Sequence, residues 1–418
     1  MFADCVCPFG PASAPTGGDK KRVDQGHMFI KSRKYLSAAT VAAVAVSFFS
    51  GGVSVFAAPD GMQDPVDYPH AGVSIALPEG FKADLVPDPV MVMRAALVKG
   101  KQAAQAVTVS AFCVAGKAAA SEFADFSDNA LKAQLSVRKF KTVRSIPITV
   151  AGIKGVLRLL KYTYDGDPTT AARVYFIRQL KDEGAGICYM LNVEVGVKHE
   201  SKLTGTLGKL IKGFKLIEVQ SPASIPVRLS AHKLANHRGG FSIRTPQGWF
   251  GSAVRGGVTT GQKNYLIGGA DSPQIAILTA SVKPDASSET FAKMVVSKYL
   301  QAAADPDSGV KLVSKGPAKV GARDAYQYVM RITIKDAPAT RPVKGKPDAD
   351  KTGIQAVRVV CRTDSSGKSV RAYLLTLACQ EDEAKFVTPW LDAIGEGFEF
   401  LPLPDAAKKP AKPKPPRS

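Results

Sequence analysis

Little in this 418-residue chain belongs to the usual chemistry of catalysis. It holds five histidines, two tryptophans and six cysteines. Cys5 and Cys7 fall in an N-terminal leader, which leaves Cys113, Cys188, Cys361 and Cys379. Their spacing is neither Cys-x-x-Cys nor that of a zinc site. No Gly-x-Ser-x-Gly elbow and no Gly-x-x-x-x-Gly-Lys-Ser/Thr phosphate loop is present, so two common signals of hydrolase and nucleotide chemistry are missing. Acidic side chains are scarce as well. The 36 Asp and Glu face 56 Lys and Arg, for a net charge of +20. That excess is diffuse, and it is densest over residues 405–418, where five Lys/Arg meet one acid. Diffuse positive charge draws a protein toward anionic surfaces without naming a partner. Nucleic-acid binding adds aromatic stacking platforms or a known module, and neither is found.

What is present is enough apolar material for ordinary cores, at 45% hydrophobic residues, and a length that suggests two or three domains. Residues 1–57 are expected to be leader. From Met28, Lys31, Arg33 and Lys34 form a basic segment, an apolar run follows to Phe56, and Val55 and Ala57 occupy the small-residue positions before Ala58. This is the layout of a secretory signal peptide. It implies a start at Met28, cleavage before Ala58, and a secreted or periplasmic protein. No Cys lies near the cleavage point, which argues against a lipid anchor. The alternative is an uncleaved N-terminal membrane anchor, since the run is nearly long enough to span a bilayer.

The strongest signal is an internal repeat. Residues 72–81 read GVSIALPEGF and residues 240–249 read GFSIRTPQGW. The same offset aligns Phe123-Ala124 with Phe291-Ala292. Pro147-x-x-Val-x-Gly152 then matches Pro317-x-x-Val320-Gly321, Tyr189–Val193 matches Tyr373–Leu377, and Gly213-Phe214 matches Gly397-Phe398. The second copy carries an insert over Asp336–Gly353, expected to protrude between two strands. In copy one, strands are expected around Met91–Val98, Ala106–Val114, Thr142–Val150, Gly155–Tyr164, Arg173–Gln179 and Ile187–Val195, with a helix over Ala120–Val137. Ile187, Tyr189, Leu191, Val193 and Val195 alternate onto one face, as in an antiparallel sheet with one buried side. Leu203, Leu207, Leu210, Ile211 and Phe214 form the apolar stripe of a closing helix. The expected fold class is α+β: two tandem repeats, each an antiparallel β-sheet covered by two helices. The divisions are 1–57 leader, 58–220 repeat 1, 221–404 repeat 2, and 405–418 a Lys/Pro-rich tail that cannot bury enough surface to fold.

These motifs resemble the PsbP-like superfamily, which spans the PsbP subunit of photosystem II, Ran-binding import factors and many exported bacterial proteins. They are the opening Gly-x-Ser-Ile-x-x-Pro-x-Gly-Phe/Trp, the central Pro-x-x-Val-x-Gly and the closing helix ending in Gly-Phe. The resemblance covers about 68–219 and 237–403. It implies a mostly non-catalytic fold that binds proteins or assemblies, and it supplies no shared catalytic residue. The insert and the basic tail depart from it.

Candidate chemistry is thin. His232 and His237 stand five apart, not the three or four that one helix face needs to hold a metal. His70 and His199 have no indicated partner. Asp165-Gly-Asp167 and Asp348-Ala-Asp350 read as turns, because calcium needs a longer oxygen-rich loop. If strands 361 and 379 form a hairpin about Asp364–Lys368, Cys379 lies opposite residue 353, ~26 Å from Cys361 and far too distant for a disulfide. Both should be unpaired and buried. Whether Cys113 and Cys188 pair stays open. Arg138–Arg144 is the densest basic stretch inside a domain. Strict alternation would put Arg138, Phe140 and Thr142 on one face and Lys139, Lys141 and Val143 on the other, splitting the charge. The expectation is an exported, non-catalytic binding or assembly protein of the envelope, with no catalytic, cofactor or metal residues and no cofactor. Its partner is a protein or anionic envelope component, with peripheral membrane contact possible and no specific nucleic acid. An envelope-acting enzyme or small-ligand carrier is the alternative.

Overall fold

The computed structural model describes residues 61–99, 102–115, 118–180, 185–254, 256–334, 351–363 and 370–402. The expected leader, the tail, most of the insert and the turn at 364–369 lie outside the described residues. The first half runs β1 (Val66–Tyr68), β2 (Val73–Ile75), β3 (Lys82–Asp84), β4 (Met91–Lys99), β5 (Gln102–Ala115), α1 (Ala120–Lys132), β6 (Val137–Val150), β7 (Ile153–Tyr164), β8 (Asp167–Gln179), β9 (Ala185–Val195), α2 (Leu203–Gly213) and β10 (Phe214–Leu216). The second runs β11 (Leu229–Asn236), β12 (Phe241–Pro246), β13 (Phe250–Val254), β14 (Gly257–Asn264), β15 (Ala270–Val282), α3 (Ser288–Val295), α4 (Ser297–Ala302), β16 (Val310–Val320), β17 (Arg323–Ile334), β18 (Lys351–Thr363), β19 (Val370–Gln380), α5 (Val387–Glu396) and β20 (Phe398–Phe400).

The halves have one topology. A seven-stranded sheet of order β3-β4-β5-β9-β8-β7-β6 is matched by β13-β14-β15-β19-β18-β17-β16. A three-stranded sheet β1-β2-β10 is matched by β11-β12-β20. Pairing is antiparallel throughout. The repeated Gly-x-Ser-Ile-x-x-Pro-x-Gly-aromatic segment makes the same turn twice. Its second glycine, Gly80 or Gly248, takes a φ of +82 or +80, the left-handed region that side chains disfavour. The aromatic that follows, Phe81 or Trp249, is buried.

Alternation on β9 sends Ile187, Tyr189, Leu191, Val193 and Val195 into the first core, where Leu203, Leu207 and Leu210 of α2 meet them. In the second half, Tyr373, Leu375, Leu377 and Cys379 of β19 meet Trp390, Leu391 and Ile394 of α5. The opposite face of each large sheet carries a smaller core. Leu131 of α1 packs there with Leu160 and Tyr162, and Ala292 of α3 with Tyr328 and Val357. Each half is thus layered as helix, large sheet, then helix with small sheet. Five α-helices are described, two in the first half and three in the second, rather than two per copy. The break falls at Val296, whose side chain is fully buried between α3 and α4.

The expected helix to Val137 stops at Lys132, because Val137 is buried and pairs with Tyr164 as the first residue of β6. Lys351–Gly353 at the end of the insert belong to β18. Ile354, not residue 353, faces Cys379, and Cys361 faces Ala372. None of the four cysteines forms a disulfide. Cys379 is buried and Cys361 half-buried. Cys188 lies opposite Phe112, and Cys113 opposite Ile187. Neighbouring pairs in a ladder point to opposite faces, so Cys113 and Cys188 cannot meet.

Candidate functional site

Polar side chains concentrate under α1. Arg173 on β8 is buried in mid-strand. Its Nε donates to Asn192 Oδ1 at 3.2 Å, and its Nη2 stands 3.6 Å from Glu194 Oε1. That oxygen also accepts from Tyr162 Oη at 2.9 Å and Asn192 Nδ2 at 3.1 Å. Nearer α1, Tyr175 Oη donates to Ser127 Oγ at 3.0 Å. Arg158 reaches Asp128 Oδ2 at 3.2 Å and Asp125 Oδ1 at 2.7 Å, and Thr142 Oγ1 donates to Asp128 Oδ2 at 3.3 Å. Burial raises the Asp128 carboxyl, with Arg158 opposing it. Burial and the Glu194 charge push the Tyr162 phenol far above its ordinary range, so it acts as a fixed proton donor.

The second copy shows that the fold does not require this network. Arg173, Asn192 and Thr108 lie in register across three strands, and Val357, Thr376 and Ala276 occupy the matching row. Where copy one pairs Tyr175 with Met190, copy two pairs Val359 with Leu374. Copy two places its buried charges elsewhere. Arg358 donates to Gln327 Oε1 at 2.8 Å, to the Lys319 carbonyl at 3.1 Å and to Asp392 Oδ1 at 2.7 Å. Glu383 is fully buried and accepts from Ser272 Oγ, Asn264 Nδ2 and the Gln380 amide; burial raises its carboxyl. Most of these groups bond to one another, while Asp128 Oδ1 and Arg158 Nε have no hydrogen-bond partner among the described residues. Sequence reading passed over them. Their signal was a polar residue at a strand position flanked by apolar ones, as at Arg173 and Asn192.

The copies are joined by buried contacts. Tyr265, between β14 and β15, sits in the first core and donates to the Ala111 carbonyl at 2.9 Å. The Gly251 amide donates to the Val86 carbonyl at 2.9 Å. A Cβ on Gly269 would stand 2.8 Å from Cys113 Cβ, so this approach needs glycine. His70 is 5% exposed, and its Nδ1 has no hydrogen-bond partner among the described residues. A Cβ on Gly248 would lie 3.7 Å from His70 Cε1, which places the imidazole against the second copy. Burial pulls the imidazole down to about 3.

The remaining sequence candidates stay apart. His199 lies in the turn Val197–Lys202 before α2, His232 is on β11, and His237 is exposed beyond it. Asp165 is in the β7–β8 turn, and Asp348 and Asp350 lie outside the described residues. No group of three or more His, Cys, Asp or Glu able to hold a metal is found among the described residues. No helix among them is long and apolar enough to cross a membrane.

Two surface features stand out. Phe126 on α1 is 65% exposed, and Met294, its equivalent at the repeat offset on α3, is 58% exposed. Phe126 extends a ring cluster with Phe123 and Phe112, at centroid separations of 6.1 and 4.9 Å. The second feature is the β6–β7 hairpin. The expected splitting of its charge between faces does not occur, because two β-bulges interrupt β6, between Arg138 and Lys141 and between Thr142 and Arg144. Arg138, Lys141 and Arg144 therefore pair with Thr163, Lys161 and Leu159, which share one face of β7.

No family model matches the sequence, and no curated protein matches it. Solved structures similar to it include LpqN, involved in cell envelope biogenesis of Mycobacterium tuberculosis, at 15% identity over 38% of this chain and 92% of that one, with a TM-score of 0.29. A cyanobacterial PsbP from Synechocystis matches at 14% identity over 44% of this chain and 98% of that one, with a TM-score of 0.27. The T6SS immunity protein TplEi from Pseudomonas aeruginosa matches at 12% identity over 81% of this chain and 98% of that one, with a TM-score of 0.23. A PsbP protein thus stands among the matches, as the sequence resemblance implies, and at TM-scores below 0.5 none of the three carries any argument about this chain.

Proposed function

We propose that this chain is an exported, non-catalytic protein-binding module of the cell envelope that presents two like surfaces to one partner or assembly. The observation that carries this reading is the matched exposure of Phe126 and Met294 on α1 and α3. Phe and Met are enriched at protein interfaces, and exposing them costs solubility without stabilising the fold. The joint through Tyr265 and His70 connects the copies, so both surfaces are carried by one joined molecule. Most donors and acceptors of the buried polar groups turn on a neighbour within the same copy rather than outward, which supports a role in the fold. The test is capture from envelope extract by the mature protein and by a Phe126→Ser/Met294→Ser variant. Full burial of either anchor contributes roughly 2 kcal/mol, so the double variant should lose at least about a hundredfold in affinity with its melting unchanged. Equal capture by both forms, or hydrolytic turnover of envelope material with no capture, would reverse the reading.

A further inference from the structure

The β6–β7 hairpin, residues 137–164, contains Arg138, Lys139, Lys141, Arg144, Lys154, Arg158 and Lys161 and no acidic residue. Arg158 is neutralised by Asp125 and Asp128 of α1. The others have no ion pair across the hairpin, and the bulges bring three of them into one row. Partners two residues apart on β7 space Arg138, Lys141 and Arg144 by ~6.6 Å, with Lys161 directly beside Lys141. Glu200, in the turn before α2, is the acid that faces this row, through Lys161. Apolar tips flank it. Leu135, in the turn entering β6, is 80% exposed, and Val143, the extra residue of the second bulge, is exposed.

The second copy acts as an internal control. In the matching register stand Gly309, beside Thr333, then Lys311 opposite Arg331 and Ser314 opposite Val329, and Arg331 pairs with Glu381 at 2.5 Å. The basic row is therefore a property of copy one and not of the fold.

We propose that the outer face of the β6–β7 hairpin docks on an anionic phospholipid surface. A row of cations with exposed leucine and valine beside it suits a headgroup layer, where phosphates meet the cations and short apolar side chains enter the interface. A paired acidic strand is the competing occupant. The bulges, together with Pro147 on the outer strand, break the continuous ladder that such a strand needs, whereas mobile headgroups need no register. An RNA or DNA strand would want stacking platforms, but the ring nearest the row in sequence, Phe140, lies on the opposite face, stacked on Tyr162 at 6.2 Å. This surface is separate from the Phe126 and Met294 anchors and does not depend on them.

The test is co-sedimentation of the folded full chain with phosphatidylcholine vesicles, with and without phosphatidylglycerol. The chain should partition onto the phosphatidylglycerol vesicles and be released by salt. Each basic side chain near an anionic surface contributes about fivefold. Lys141→Gln/Arg144→Gln should therefore weaken partitioning ~25-fold, and the charge-reversed Glu pair further. Leu135→Ser should weaken it several-fold, and Lys311→Gln on the equivalent strand should leave it nearly unchanged. All four sites are exposed, so near-UV circular dichroism should match the parent in each variant. Undiminished partitioning of the Gln pair overturns the proposal. So does equal binding to phosphatidylcholine alone. Polyglutamate that displaces the chain from vesicles at equal charge would show the row to be an acidic-protein site instead.

Discussion

His70 gives the sharpest quantitative consequence of the joined copies. The imidazole is buried against Gly248 with Nδ1 unpartnered among the described residues, and desolvation holds it down to about 3. In the unfolded chain the same group titrates near 6.5. Above about pH 6.5 it is neutral in both states and stability is unaffected. As pH falls below that, the unfolded chain takes up a proton that the folded chain refuses, so the unfolded state binds more protons and stability declines. The slope is about 1.4 kcal/mol per pH unit, and the loss between pH 6.5 and 5 is roughly 2 kcal/mol. It keeps growing until pH approaches 3. The perturbation is His70→Gln, which keeps a polar side chain of similar reach and removes the titration. The assay is the urea midpoint of parent and variant from pH 7.5 to 4.5. The buried Glu383 works in the opposite direction, since its raised carboxyl favours the folded state at low pH, but it is present in both proteins and cancels in the difference. The parent should lose about 2 kcal/mol more than the variant by pH 5. Parallel pH profiles would mean that His70 is solvated and that the joint is looser than described.

The joint, the buried network and the two ends of the chain give further expected outcomes. Tyr265→Phe removes one hydrogen bond across the joint and should cost about 1 kcal/mol, while Tyr265→Ala should cost about 3–5 kcal/mol and split calorimetric unfolding into two transitions. Arg173→Val alone leaves the half-buried Glu194 without its cation and should cost about 3–5 kcal/mol, whereas adding Asn192→Thr and Glu194→Ala, the residues of copy two, should recover most of that in urea denaturation. Under the proposed export, intact mass of the isolated protein should begin at Ala58, and deleting Ala406–Ser418 should weaken low-salt envelope association while leaving thermal melting unchanged; Met1 or Met28 at the N-terminus, or a lowered melting temperature, would contradict the leader and tail readings in turn.

Much of the fold was legible in the sequence because its signals are local or periodic. The repeated Gly-x-Ser-Ile-x-x-Pro-x-Gly-aromatic segment reports its own turn, since Gly80 and Gly248 both need a left-handed φ. Alternation along Ile187–Val195 and the stripe Leu203–Leu210 report which faces enter the core. Period-two and period-3.6 patterns survive in one dimension because every residue of the element sees the same neighbour layer. The duplication is legible for the same reason, and one strand order repeats in both halves.

What escaped depends on contacts between distant segments. The strand-for-helix exchange at Val137 is decided by its partner Tyr164, and α3 gives way to α4 at Val296, where the backbone leaves the helical region. The network around Arg173 joins residues from α1, β7, β8 and β9, so no window of sequence contains it. Nothing in the sequence around His70 indicates a partner, and its burial against Gly248 of the second copy is visible only in the fold. The clearest case is β6. Strict alternation divides Arg138, Lys141 and Arg144 between faces, but a bulge adds a residue to one strand only and resets the alternation beyond it. Composition alone determined that this hairpin is basic. Only its register against β7 decided that the charges form a single row.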